Sequence, residues 1–193
     1  MKVAIIGKGN VGTAIAQGLS GKHEIKFGHR NPKEPVAEAA KWGEAIILAV
    51  PHDAAANVAR EVGSAADKKI VIDVSNALTA QGELAIGFAT SAAEEIQKML
   101  PKAKVVKAFN TVFAQNQNKG RIGKERLTLF VAADDAKAKQ TVMQLGRDIG
   151  FEPVDAGPLK SAQYLEPMGI LIIDLGYGLK MGTKISYKLI KTD

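Results

Sequence analysis

Seven short runs rich in β-branched and other apolar residues alternate along this chain with segments of helical periodicity. No other feature restricts the possible folds as much. The runs are "KVAIIG", "HEIKFG", "EAIILAV", "KIVIDVS", "AKVVKAF", "RLTLFVAA" and "FEPVDAG". Between them, "NVGTAIAQGLS" sets Val11, Ile15 and Leu19 on one helical face, and "HDAAANVAREVG" reads as a helix stopped by Gly63. "SAAEEIQKML" carries Ser91 and Glu94 at capping-box spacing and ends before Pro101, and "DAKAKQTVMQLGRDIG" reads as a further helix. Connections of this length cannot be hairpins. The strands are therefore expected to lie parallel, covered by helices on both faces, which is a doubly wound α/β sheet.

Composition excludes several functions. The 193 residues are 46% apolar and 24% charged and contain no cysteine. Thiolate metal sites, disulfides and cysteine nucleophiles are ruled out, and the scattered histidines (His23, His29, His52) suggest no metal site. The longest apolar stretch, "GILIIDLGYGL", is too short and too glycine-rich to span a bilayer, and "MKVAIIGKGN" lacks the form of a signal peptide. A cytoplasmic location is the expectation. The net charge of +6 comes without the aromatic or arginine-rich elements of nucleic-acid recognition, so no nucleic-acid partner is expected. The apolar tail "LKSAQYLEPMGILIIDLGYGL" either packs on the core or buries its surface against a second copy of the chain, and a homodimer is the expectation.

Between the first strand and the first helix stands "GKGNVG", in which Gly7, Gly9 and Gly12 form the G-x-G-x-x-G pattern and Lys8, Asn10 and Val11 fill the gaps. In this context the pattern points to a Rossmann dinucleotide site. Gly7 permits the tight turn, Gly9 admits a pyrophosphate, Gly12 allows close packing, and the helix N-terminus faces the anion. After the second strand, "FGHRNP" offers no acid for a ribose 2′-hydroxyl. It offers Arg30, flanked by His29 and Asn31, with Lys33 nearby. A guanidinium suits the 2′-phosphate of NADP(H), although Arg30 as a solvated loop residue is the alternative. "AVPHDA" puts Val50, Pro51 and His52 at the end of the third strand. His52 either contacts the cofactor or simply starts its helix. "DVSNAL" puts Ser75 and Asn76 at the end of the fourth, to bind the nicotinamide end or to form a plain polar turn. The fifth strand exits through "VVKAFNTVFAQ", whose polar residues are either an ordinary strand exit or ligand-facing groups.

With "VAIIGKGNVGTAIA", "FGHRNP", "ILAVP", "DVSNAL", "VKAFNTVFA" and "VDAGPLKSAQYLEPM", the chain resembles the NADP oxidoreductases related to the coenzyme F-420-dependent (deazaflavin) enzymes. It also resembles the cytosolic reductase domain of the six-transmembrane metalloreductases. The resemblance implies an NADP-binding Rossmann domain over residues 1–157. It also implies a small C-terminal helical cap over residues 158–193 that helps form a dimer. The same resemblance places Asn110, Thr111, Val112, Phe113 and Ala114 beside the nicotinamide, facing a second, planar redox partner. The deazaflavin-using members carry histidine at the position of Asn110 and the metalloreductase domains carry asparagine, which suits a flavin better than a deazaflavin.

Hydride transfer between a nicotinamide and a flavin-type ring needs positioning more than acid–base help, so no catalytic acid or base is assigned. The expected function is an NADP(H)-dependent oxidoreductase with a flavin or deazaflavin acceptor. The alternatives are a small-molecule dehydrogenase, for which His52 is the obvious proton donor, and a non-catalytic NADP(H) sensor.

Overall fold

The computed structural model describes residues 1–79, 81–86 and 88–192. Strand β1 (Lys2–Ile6) runs into the glycine turn and helix α1 (Asn10–Leu19). The alternation continues through β2 (Glu24–Gly28), α2 (Val36–Trp42), β3 (Ala45–Leu48), α3 (His52–Val62), β4 (Ile70–Asp73) and α4 (Ala92–Met99). Next come β5 (Lys104–Lys107), the single turn α5 (Ala114–Gln117), and a small hairpin of β6 (Arg121–Ile122) and β7 (Glu125–Arg126). The chain closes with β8 (Thr128–Ala133), α6 (Ala136–Ile149), β9 (Glu152–Asp155) and α7 (Ala162–Ile173).

All seven apolar runs become strands of one sheet, ordered β2-β1-β3-β4-β5-β8-β9. Successive side chains on β1 enter opposite cores. Val3 and Ile5 join Ile15 and Leu19 of α1 on one face, while Ala4 and Ile6 join Ala39 of α2 and Val62 of α3 on the other. A sheet buried on both faces explains why its strands read as continuous apolar runs. The chain moves from β1 out to β2 and then back to place β3 on the other side of β1. This reversal leaves a crevice at the carboxyl ends of β1 and β3, where such sheets bind ligands.

The sheet is mostly parallel and departs from the expectation at one pairing, since β8 runs antiparallel to β5. The reason lies in the connection. One turn of four residues in α5 advances only about 6 Å at 1.5 Å per residue. The rest of the connection is spent on a turn and the β6–β7 hairpin, so no full helix carries the chain back across the sheet and β8 runs antiparallel. Helix α6 then supplies a full crossover and β9 pairs parallel to β8. Helix α2 and the β6–β7 hairpin were not anticipated, as both are short and weakly patterned.

From residue 158 the chain is helical through Gly178 and irregular beyond it. A 3₁₀ turn (Leu159–Ser161) leads into α7, which continues into a single π-helical turn (Asp174–Gly178). Leu159 and Ala162 belong to the same buried cluster as Val71 and Val105, so the start of this segment packs on the core. Residues 179–192 fold back along the sheet edge. The Tyr187 hydroxyl donates to the Met168 carbonyl at 2.9 Å, and Lys188 pairs with Glu152 at 2.7 Å.

The Ser91 cap forms as expected. Its hydroxyl accepts from the Glu94 amide at 3.2 Å and donates to the Glu94 carboxylate at 2.8 Å. Gln163 of α7 donates to that carboxylate at 2.9 Å. Ser91→Ala is expected to lower stability by about 1 kcal/mol, as lost N-caps typically do. A urea titration followed by far-UV circular dichroism measures this.

Candidate functional site

The glycine turn needs its glycines for three different reasons. Gly7 has φ 109°, in the left-handed region, and a Cβ there would be driven into the Ala49 carbonyl oxygen. A Cβ on Gly12 would meet the Gly7 carbonyl. Gly9 is different, because nothing lies within 4 Å of where its Cβ would stand. Its backbone is open to an approaching group. Gly9 is also the N-cap of α1, and no side chain caps that helix. The first amides of α1 therefore point into open space with the positive end of the helix dipole, which is an anion cradle. Such a cradle fits the pyrophosphate of a dinucleotide.

A cavity of about 800 Å³ opens on one side of this turn, lined by Gly7, Lys8, His29, Arg30, Val50 and Pro51 among others. The structure thus joins three of the stretches singled out in the sequence. Arg30 is exposed, and among the described residues its guanidinium has no ion-pair partner. Asn31 and Lys33 sit on the same loop outside the lining, where the Asn31 side-chain oxygen accepts from the Lys33 amide at 3.0 Å. His52 opens α3 beside the cavity without lining it, and its Nδ1 is buried with no partner. One group in this loop escaped the sequence reading. The Glu34 carboxylate pairs with Lys8 Nζ at 3.1 Å and with His29 Nε2. Those hydrogen bonds, Lys8 first and then His29, hold its pKa below the usual carboxylate range.

On the other side of the turn lies a hollow of about 210 Å³, bordered by Val11, Asn76, Asn110, Val112, Phe113 and Tyr177 among others. Ala114 borders both this hollow and a groove of about 420 Å³ that also touches Lys8 and Asn10. The turn 108–113 is tightly packed. Asn110, Thr111, Val112 and Phe113 are all buried. Phe109 holds φ 67°, a left-handed conformation that a bulky residue keeps only when its surroundings enforce it. Gln117 supplies part of that enforcement by donating to the carbonyls of Phe109 and Val112 at 2.8 and 3.0 Å. The Asn110 amide donates to the Asn76 side chain at 2.8 Å and to the Leu165 carbonyl at 2.6 Å, and Asn76 donates back to the Asn110 carbonyl at 3.1 Å. Gly169 is required here, because any side chain on it would strike Asn76. The Phe113 and Tyr177 rings meet edge to face, with centroids 5.4 Å apart.

Ser75 faces inward. Its hydroxyl and amide both donate to Asp73 Oδ1, at 2.7 and 3.0 Å. It belongs to a buried ionic network that the sequence reading did not find. Lys107 Nζ lies 2.7 Å from Asp73 Oδ2, 2.8 Å from Glu166 Oε1 and 2.5 Å from the Ser75 carbonyl. Glu166 in turn accepts from the amides of Ala92 and Ala93, at 3.0 and 3.4 Å, at the start of α4. Burial presses the Lys107 pKa down, but the attraction of Asp73 and Glu166 outweighs it and the pKa is raised. The signal was available in the sequence. Asp73 and Lys107 are lone charges ending apolar strands, and they are register partners across β4 and β5. A lone buried charge requires a counter-charge.

Fold and turn together define a dinucleotide-binding α/β protein with its crevice at the β1/β3 reversal. A family model described as NADP oxidoreductase coenzyme F420-dependent matches residues 2–77. The chain is 27% identical to the F420-dependent NADP reductase of Methanocaldococcus jannaschii, over 93% of this chain and 94% of that protein. It is 30% identical to the metalloreductase STEAP3 of Rattus norvegicus, over 89% of this chain. The chain spans only 37% of that metalloreductase's length. Among solved structures, a putative F420-dependent NADP-reductase from Arthrobacter sp. FB24 superposes with a TM-score of 0.92 at 26% identity, covering 99% of this chain and 100% of the other. Among the described residues no helix is long and apolar enough to cross a membrane, and no cluster of three or more His, Asp or Glu side chains is placed to hold a metal ion.

Lys107→Met leaves two carboxylates buried without their cation. It is expected to cost about 3–5 kcal/mol of stability. The triple variant Lys107→Met, Asp73→Asn, Glu166→Gln is expected to recover most of the loss, because no uncompensated charge remains. Denaturant midpoints of the three proteins measure both effects.

Proposed function

We propose that this protein is an NADP(H)-dependent oxidoreductase that passes a hydride between the nicotinamide and a planar flavin-type ring. The reading is carried by one observation, the placement of two unlike cavities on either side of an open anion cradle. The larger one, edged by Lys8, His29 and Arg30, suits an adenosine with a charged ribose substituent. The smaller one, walled by apolar chains, amides and aromatic rings, suits a nicotinamide. The uncapped α1 between them holds the pyrophosphate, Arg30 takes the 2′-phosphate, and NADPH when bound supplies the hydride. The family match and the named reductase relatives support the same reading.

The protein's own part is to orient the rings and exclude water. Asn110 acts from within the wall, locking the turn to α7 so that Val112 and Phe113 keep their places. At about 210 Å³ the hollow is smaller than the roughly 300 Å³ at which small-molecule sites begin. An acceptor ring therefore enters by displacing Tyr177 from Phe113. Tyr177 is 59% exposed, and it sits on a single π-helical turn, a feature frequent at functional sites. The residues that border the hollow include no acid or ammonium. A dehydrogenase acting there would need a proton donor, and the Tyr177 phenol is the one hydroxyl among these residues. The expected homodimer rests on apolar side chains left exposed in the C-terminal segment, including Leu171, Leu179, Met181 and Ile190. Sedimentation equilibrium tests it.

Anaerobic NADPH oxidation followed by absorbance, with FMN, FAD, riboflavin and a deazaflavin offered in turn, is expected to show turnover with at least one ring. Tight NADPH binding without turnover on any ring would leave the small-molecule dehydrogenase and sensor alternatives. Arg30→Ala is expected to weaken NADPH binding about tenfold or more, the worth of a charged hydrogen bond, and to leave NADH binding nearly unchanged. Equal losses for both nucleotides would remove Arg30 from the 2′-phosphate.

A further inference from the structure

The loop between β2 and α2 contains an acid in the window, about 20 residues past the glycine pattern, where NAD-preferring folds keep the carboxylate that binds the ribose 2′-hydroxyl. That acid is Glu34, and its carboxylate is already engaged. Lys8 Nζ donates to both oxygens at 3.1 Å, and Oε2 also meets His29 Nε2. The loop closes on itself to make this possible. The His29 amide donates to the Glu34 carbonyl at 2.8 Å, and the Glu34 amide donates to the Asn31 carbonyl at 2.9 Å. Lys8 is held in place from a second direction, with its ammonium 5.2 Å from the centre of the Phe27 ring. Lys8, His29 and Arg30 line the large cavity together with Asp53 and Glu61 of α3, so Glu34 occupies two of its three basic groups, and among the described residues Arg30 has no ion-pair partner.

We propose that Glu34 is a specificity-determining residue for the cofactor. It stands in for an anion on Lys8 and His29, and it releases them only when a 2′-phosphate competes for them. With NADH no such anion arrives, and the carboxylate is available to accept from the 2′-hydroxyl. Glu34 therefore disfavours NADPH and favours NADH, so it narrows the selectivity that Arg30 would otherwise impose. The proposal rests on the reading that this cavity holds the adenosine ribose of a dinucleotide.

The test uses the whole chain as wild type, Glu34→Gln, Glu34→Ala and Arg30→Ala. Dissociation constants for NADPH and NADH are read from nicotinamide fluorescence, with thermal melting as a control for folding. The neutral amide of Glu34→Gln keeps the size of the side chain and removes its charge. It is expected to tighten NADPH and weaken NADH, raising the preference for NADPH about tenfold, the factor carried by one charged hydrogen bond. Glu34→Ala is expected to shift the preference in the same direction. A preference unchanged or lowered in both Glu34 variants, while Arg30→Ala abolishes it, would overturn the Glu34 proposal and leave the cavity reading intact. A preference that neither Arg30→Ala nor the Glu34 variants move would show that the cavity does not hold the ribose, and both readings would fall together.

Discussion

The carboxyl end of the sheet depends on a single buried ammonium. Lys107 draws together β4 through Asp73, the loop after β4 through the Ser75 carbonyl, and α7 through Glu166. Glu166 then receives the first amides of α4. Four chain segments separated by up to about ninety residues are thereby fixed around one charge. Removing two carboxylates and an ammonium from water is expensive, and the network is tolerable because each member has several partners. Its consequence is positional. The turn that leaves β5 starts at Lys107, and the helix that supports this turn carries Glu166.

From that anchor the wall of the smaller hollow follows almost without freedom. Asn110 reaches the Leu165 carbonyl and Asn76, Gln117 holds the carbonyls of Phe109 and Val112, and Gly169 leaves room for Asn76. Phe109 keeps its left-handed backbone because these bonds fix the chain on both sides of it. The strained turn is thus a rigid support, while the residue that covers it, Tyr177, belongs to a π-helical turn with most of its ring exposed. Rigid walls with one exchangeable cover suit the two-ring site proposed above.

The larger cavity is governed by charge where the smaller is governed by packing. The helix dipole, Lys8, His29 and Arg30 all favour an anion, and Glu34 from the β2–α2 loop and Asp53 and Glu61 from α3 oppose them. On the proposed reading, selectivity there is a balance among groups a few ångströms apart. A net charge of +6 gives no information about that balance.

The sheet was legible in the sequence because period and length are local properties. All seven apolar runs form strands, and "GKGNVG" lies where strand, turn and helix had to meet. Gly7 and Gly12 announce their roles because neither position has room for a Cβ, and Gly9 because a bare backbone there stays open to an approaching group. The Ser91–Glu94 spacing announces a helix start for the same kind of reason. Tertiary structure alone decided the rest. The antiparallel β8 follows from a connection that holds no full crossover helix, and the burial of Asn110 follows from α7 packing beside it. The pairing of Lys107 with Asp73 and Glu166, and of Glu34 with Lys8, joins residues far apart in the chain. Sequence periodicity reports which face of an element is apolar. It does not report which charge a buried lysine will meet, because that depends on strand order and on where the C-terminal helix docks.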